Sequence, residues 1–134
     1  MSLLSFNYRV IVILEHKIYV YNFQNLKLVE VIETCSNVKG ICTVSPSKDV
    51  CVLACPEKKV GSVRVVHFDK GSKTHLIDAH QSQVAALSLN NEGTILATAS
   101  DKVNSIYNFE IIGYLDQTIR YGNCNPNLGT EKRK

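Results

Sequence analysis

Three short runs, Val20-Tyr21-Asn22-Phe23, Val65-Val66-His67-Phe68 and Ile106-Tyr107-Asn108-Phe109, repeat one apolar and aromatic pattern at intervals of 45 and 41 residues. The stretches upstream repeat as well. Val50-Cys51-Val52-Leu53-Ala54-Cys55 aligns with Ile95-Leu96-Ala97-Thr98-Ala99-Ser100 at an offset of 45, and Val10-Ile11-Val12-Ile13-Leu14 fills the same place in the first copy. A period of this size is that of a four-stranded propeller blade, a unit that buries its faces only against its neighbours.

The local patterns agree with an all-β chain. Val10 to Leu14, Lys17 to Phe23, Lys27 to Ile32, Gly40 to Val44, Val50 to Ala54, Ser62 to Phe68, Val84 to Leu89, Thr94 to Ala99 and Ser105 to Phe109 are rich in β-branched and aromatic residues and read as strands. Helix signals are absent. Several runs are apolar at nearly every position, which is expected of strands covered on both faces. Turn residues separate them at Glu15-His16, Ser45-Pro46-Ser47-Lys48-Asp49, Asp69-Lys70-Gly71-Ser72 and Asn90-Asn91-Glu92-Gly93.

A closed propeller takes about four to eight blades, and 134 residues at this period hold about three. The expected fold is therefore a partial β-propeller of about three four-stranded antiparallel blades of the WD-repeat type, an incomplete ring. The first copy reads as starting part-way through a unit. Thr130-Glu131-Lys132-Arg133-Lys134 reads as stopping without another strand. We expect a slice of a larger propeller or a truncated product, with residues 1–123 forming the partial propeller and 124–134 an irregular or disordered basic tail.

Composition excludes several function classes. With 45% hydrophobic and 20% charged residues the chain is ordinary for a globular protein. The net charge of +3 comes from scattered residues, among them Lys17, Lys27, Lys39, Lys48, Arg64, Lys70 and Lys73, with acidic neighbours between them. That is not the one-sided basic stripe of a nucleic-acid binder. Arg9 interrupts the apolar N-terminus, which lacks the pattern of a secretory signal, and no apolar run reaches the roughly 20 residues needed to span a bilayer. The five cysteines, Cys35, Cys42, Cys51, Cys55 and Cys124, are an odd number, mostly in strand-like stretches where a thiol acts as a small hydrophobe, so the reducing cytosol is expected.

No enzyme is expected. Ser100, His80 and Asp78 contain the atoms of a hydrolytic triad, but Ser100 lacks a Gly-x-Ser-x-Gly elbow and no oxyanion hole is readable. Cys51 and Cys55 with His67 or His75 lack the second close pair of a zinc site and read as core thiols. No glycine-rich phosphate loop of the nucleotide-binding kind occurs. Neither a metal nor a cofactor is expected.

Glu15-His16-Lys17-Ile18-Tyr19-Val20-Tyr21, Val38-Lys39-Gly40-Ile41-Cys42, Asp78-Ala79-His80-Gln81-Ser82, Ser88-Leu89-Asn90-Asn91-Glu92-Gly93-Thr94 and Ala97-Thr98-Ala99-Ser100-Asp101-Lys102 resemble the third to fifth blades of the PROPPINs. These are the WIPI-type, seven-bladed WD-repeat proteins of autophagy. The resemblance covers roughly residues 8 to 103. It implies a peripheral membrane protein that recognises phosphatidylinositol 3-phosphate and 3,5-bisphosphate in two rim pockets, each served by one arginine of a motif ending in Arg-Arg-Gly. A guanidinium fork suits phosphate oxygens, and two headgroups held together give avidity.

In this chain the corresponding place reads Gly113-Tyr114-Leu115-Asp116-Gln117-Thr118-Ile119-Arg120-Tyr121-Gly122, so Tyr121 replaces the second arginine before Gly122. Val103-Asn104 and the stretch from Pro126 onward also depart from the family pattern. By resemblance His80, Ser100 and Arg120 match the first phosphoinositide pocket, while the second is lost. Each has a plainer reading. His80 can hydrogen-bond within a blade turn, as the histidine of a WD-repeat Gly-His dipeptide does. Ser100-Asp101 can close a tight turn, and Arg120 can be solvated.

The expected function is that of a fragment of a phosphoinositide-binding WD-repeat protein in autophagosome formation, with impaired lipid binding. The alternatives are an interaction scaffold without lipid binding, or an inert product. Expected partners are phosphoinositide headgroups and autophagy proteins, and the expected location is cytoplasmic, peripheral to autophagosomal precursor, endosomal or vacuolar membranes. Open blade faces and edges invite self-association of the isolated chain.

Overall fold

Strand follows strand in the computed structural model, with no α-helix among the described residues, which are 2–6, 8–45, 50–68 and 71–100 together with the backbone of 109–113, 119–125 and 130–132. The first sheet runs β1 (Ser2–Phe6), β2 (Arg9–Ile13), β3 (Lys17–Asn22), β4 (Leu28–Glu33). The second runs β5 (Thr43–Val44), β6 (Val52–Pro56), β7 (Ser62–His67), β8 (Lys73–Asp78). The third has five strands in sequence order, β9 (Val84–Leu89), β10 (Ile95–Ser100), β11 (Phe109–Gly113), β12 (Ile119–Asn125) and β13 (Thr130–Lys132). Each neighbouring pair in these sheets is antiparallel.

The 45-residue repeat is visible in register, since β3 and β7, each third in its sheet, carry the Val20-Tyr21 and Val65-Val66 copies. The third copy lies at residues 106–109, outside the described residues except for Phe109, where β11 begins.

Period-two alternation sends each sheet's side chains to opposite sides, and the middle sheet has a neighbour on both. Cys51, Leu53, Cys55, Val66 and Phe68 meet Ile11, Ile13, Ile18, Val20 and Ile32 of the first sheet. Val52, Ala54, Val63, Val65 and Ile77 meet Val84, Leu89 and Leu96 of the third. All five residues of β6 are accordingly buried, as its unbroken apolar run predicts.

Polar links reinforce both seams. The Arg9 guanidinium lies 5.0 Å over the Phe68 ring, and its Nη1 donates to Cys51 Sγ at 2.8 Å. The Cys35 amide donates to the Glu57 carbonyl at 3.0 Å, and Glu57 in turn takes a 2.8 Å ion pair from Arg64. Gln83 Nε2 donates to the Ser36 carbonyl at 2.6 Å, joining the connection that enters the second sheet to the one that enters the third.

Four strands, β1, β8, β12 and β13, are absent from the sequence reading, and the first two escape it for identifiable reasons. β1 pairs with β2 from Ser2↔Ile13 to Phe6↔Arg9, so the first copy is a full four-stranded sheet and does not start part-way through a unit. Its two-residue connection contains no glycine. Tyr8 takes φ of 61°, a conformation in which Gly or Asn is the usual signal. β8, Lys-Thr-His-Leu-Ile-Asp, is an outer strand in which Ile77 alone is buried, so it has no apolar periodicity to detect. The segment expected to be an irregular tail, 124–134, contains the end of β12 and all of β13.

Because Leu53 is fully buried between two sheets and Leu76 is exposed on an outer strand, Leu53→Ala lowers unfolding free energy by about 2–5 kcal/mol, whereas Leu76→Ala changes it by about 0.5 kcal/mol or less. Urea titration of the two variants measures the difference.

Candidate functional site

The connection from β8 to β9 passes close over the start of β7. Ala79 and His80 both donate their amides to the Gly61 carbonyl, at 3.2 and 2.9 Å. Gly61 has φ of +87°, and a Cβ there would run into the backbone carbonyl of His80. Only glycine lets the two chain segments approach this way.

Anchored so, His80 sets its Nε2 2.8 Å from Thr98 Oγ1, the hydroxyl of a side chain only 2% exposed. Ser100 follows two residues later on the same face of β10. It is 3% exposed, and its Oγ has no hydrogen-bond partner among the described residues. His80, Thr98 and Ser100 therefore gather at the seam of the second and third sheets.

Arg120 is placed differently. It pairs with Ile112, which pairs with Leu96, four residues before Ser100 on β10. At about 3.4 Å per residue and about 4.8 Å per strand, the backbones of Arg120 and Ser100 stand roughly 16 Å apart. The register shift between Ile111↔Gly122 and Ile112↔Arg120 leaves Tyr121 as an extra residue of β12, a bulge of the kind that bends a strand locally. Thr98 went unnoticed in the sequence, although its spacing of two from Ser100 puts both on one strand face.

Asp78 and Ser100 do not converge on His80 as a triad would require, since Asp78 Oδ1 accepts from Ser62 Oγ at 2.6 Å and lies 3.6 Å from Lys59 Nζ. Cys51 and Cys55 belong to the first seam, while His67, opposite Val52 on the paired strand, shares the other face of the sheet and packs edge-on against His75 at 5.3 Å. Among the described residues no three His, Cys, Asp or Glu side chains come together as a metal site.

Burial governs the thiols. It pushes Cys42 up to about 12 and holds Cys55 well above the ordinary thiol range, with the neighbouring Cys42 adding to the effect. Cys35 is raised mainly by burial too, partly offset by a backbone hydrogen bond.

Three antiparallel sheets stacked face to face, each entered from the outer strand of the one before, define an arc of WD-repeat-type propeller blades. The PROPPIN family model matches residues 1–119, and the chain belongs to that family. It is 43% identical over 94 residues to Autophagy-related protein 18 of Dictyostelium discoideum, covering 70% of this chain and 25% of the relative. It is likewise 43% identical over 114 residues to Autophagy-related protein 18e of Arabidopsis thaliana, covering 84% and 30%. The chain thus spans between a quarter and a third of the length of these relatives. The fold superimposes on Kluyveromyces lactis Hsv2 with a TM-score of 0.71 at 18% identity, over 98% of this chain and 38% of that one.

Thr98→Val removes the partner of His80 while keeping the shape of the buried side chain, and it lowers stability by about 1 kcal/mol. Gly61→Ala costs more than the roughly 1–3 kcal/mol of strain at positive φ, because its Cβ also runs into the backbone carbonyl of His80 and forces the two segments apart. Denaturant titration checks both. The folded value of Cys42 lies above its unfolded one, so its contribution is intact below pH 9 and is lost as pH climbs toward 12. Over that interval stability falls by up to about 1.4 kcal/mol per pH unit, and Cys42→Ala flattens the slope in alkaline melts.

Proposed function

We propose that this chain supplies three blades of an autophagy propeller of the phosphoinositide-recognising type, and that its own hold on phosphatidylinositol 3-phosphate is weak or absent. Family membership and autophagy-related relatives support the process. The impaired grip rests on one observation above all: His80 is engaged with Thr98 inside a seam, with Ser100 beside it, while the Arg120 backbone stands two strands and four residues away.

A phosphate held by charge-assisted bonds needs a guanidinium within reach. Tyr121 in place of a second arginine forfeits about 1.5–3 kcal/mol of such bonding. Losing the second headgroup also removes the avidity that keeps a peripheral protein on a bilayer. His80 serves the fold in this reading, closing the seam from the β8–β9 connection. Among the described residues no helix is long and apolar enough to cross a membrane. Family membership is what supports, in this reading, a peripheral location on autophagosomal precursors, endosomes or the vacuole.

A second reading, a protein-interaction scaffold, is favoured by the outer strands. Leu28 and Val31 of β4 and Leu76 of β8 are exposed there beside unpaired strand edges, a surface that autophagy proteins could bind by strand addition.

Flotation on vesicles containing phosphatidylinositol 3-phosphate recovers no more of the chain than flotation on phosphatidylcholine vesicles. Recovery that depends on the phosphoinositide and disappears with Arg120→Ala refutes the impaired grip. Partner capture that survives Arg120→Ala is the outcome specific to a scaffold.

A further inference from the structure

We propose that Cys42 and Cys55 are an oxidisable dithiol, a modification site at which a small-molecule disulfide drives a covalent bond between the first two strands of the second sheet. β5 has only two residues, and its ladder with β6 runs Thr43↔Ala54 and Val44↔Leu53. One step further in the same register Cys42 stands opposite Cys55. Directly opposed residues of an antiparallel pair share a face of the sheet, and both of these free thiols belong to the apolar seam between the first and second sheets.

Hydrogen bonding fixes the kind of pair they form. The Ser45 amide donates to the Val52 carbonyl at 2.9 Å, which makes Ser45 and Val52 a hydrogen-bonded position. The two kinds of position alternate along an antiparallel ladder, so Cys42 and Cys55 fall on a non-hydrogen-bonded one. Such residues stand about 4.5 Å apart at Cα, with side chains at their closest, inside the roughly 4.4–6.8 Å that a disulfide spans.

A two-residue strand needs help to keep its register, and both of its ends are clamped. Ahead of Cys42, Asn37 grips Ile41 twice, Nδ2 donating to the Ile41 carbonyl at 3.0 Å and Oδ1 accepting the Ile41 amide at 2.8 Å. Beyond Val44, Ser45 Oγ donates to the Val50 carbonyl at 2.8 Å and accepts the Val52 amide at 3.2 Å. Both clamping residues are buried, so water does not compete for these bonds. Cys42 is thereby held against Cys55 before any bond forms.

Cys42, half-buried where Cys55 is fully buried, makes the first attack. Its sulfur bonds to one half of the small disulfide, the reagent's own sulfur–sulfur bond breaks, and one small thiol leaves with the proton that Cys42 gave up. Cys55 then attacks the Cys42 sulfur and expels the second small thiol in the same way, so two protein thiols are oxidised while one disulfide is reduced to two thiols. Burial keeps both cysteines protonated, which slows attack because the thiolate is the nucleophile. The product is neutral, and an apolar seam does not oppose it. A reducing compartment therefore leaves the pair open, and oxidising conditions close it slowly. Cys35, whose amide reaches the Glu57 carbonyl at the same end of the seam, belongs to the connection and not to the ladder, and it ends as a mixed disulfide with the reagent.

Incubation of the folded 134-residue chain with excess oxidised glutathione, then alkylation and tryptic mass mapping, tests this. Cleavage after Lys39, Lys48 and Lys58 puts Cys42 and Cys55 on separate peptides. The expected product joins peptide 40–48 to peptide 49–58, with fragmentation placing the link at Cys55 and not at Cys51, and the linked fraction is the same at low and high protein concentration. The linked chain has a higher urea midpoint than the reduced one, a shift that Cys42→Ser and Cys55→Ala each abolish along with the link. A folded chain in which Cys42 and Cys55 are both recovered as alkylated thiols while Cys35 carries glutathione overturns the proposal. So does a link from Cys42 to Cys35 or Cys51, and so does a link that forms only in urea. The dithiol sits in the first seam, apart from His80, Thr98 and Ser100 in the second, so this inference and the lipid reading stand or fall separately.

Discussion

A sheet apolar on both faces cannot be left with either face in water, and the second sheet is the element on which the whole arrangement turns. Its central strands β6 and β7 are buried almost throughout, with alternate residues committed to different neighbours. At about 25 cal/mol per Å² of apolar surface, stripping a neighbour from either side is costly. The first and third sheets are held because the second needs both.

That constraint explains which parts of the fold could be read from the residues. β6 is a continuous apolar run, and β7 sets Val63, Val65 and Val66 around a single Arg64, so the doubly covered character of the pair is visible in the residues themselves. β8 is invisible for the complementary reason: an outer strand touches a neighbour through one side chain, Ile77, and its remaining positions are chosen for solvent. β1 was hidden by its turn, since Tyr8 adopts a left-handed conformation without the glycine that normally announces one. Asn90 shows the opposite case, a turn written in full. Its Oδ1 accepts the Thr94 and Ile95 amides at 2.8 Å each, and Gly93 supplies φ of +66°.

The candidate site was legible only as a set of residue types. Ser100 and His80 converge on one seam, yet the residue that joins His80 to β10 is Thr98, and the residue that permits the approach is Gly61, an isolated glycine with nothing in its neighbours to distinguish it. Close backbone approach between segments distant in sequence leaves no local trace. The position of Arg120 depends on how β10, β11 and β12 slide past one another, and the bulge at Tyr121 adds one more shift. Register of this kind is a tertiary property, decided by which faces must be buried.

The hydrogen bond from Gln83 to the Ser36 carbonyl joins two successive crossovers, so it acts as a chord across the curve of the stack. Both ends are exposed, and water can take over either group at little cost. The layers are therefore spaced by the apolar seams and their buried links, while this exposed bond is an exchangeable tie that can let go and re-form without disturbing either core.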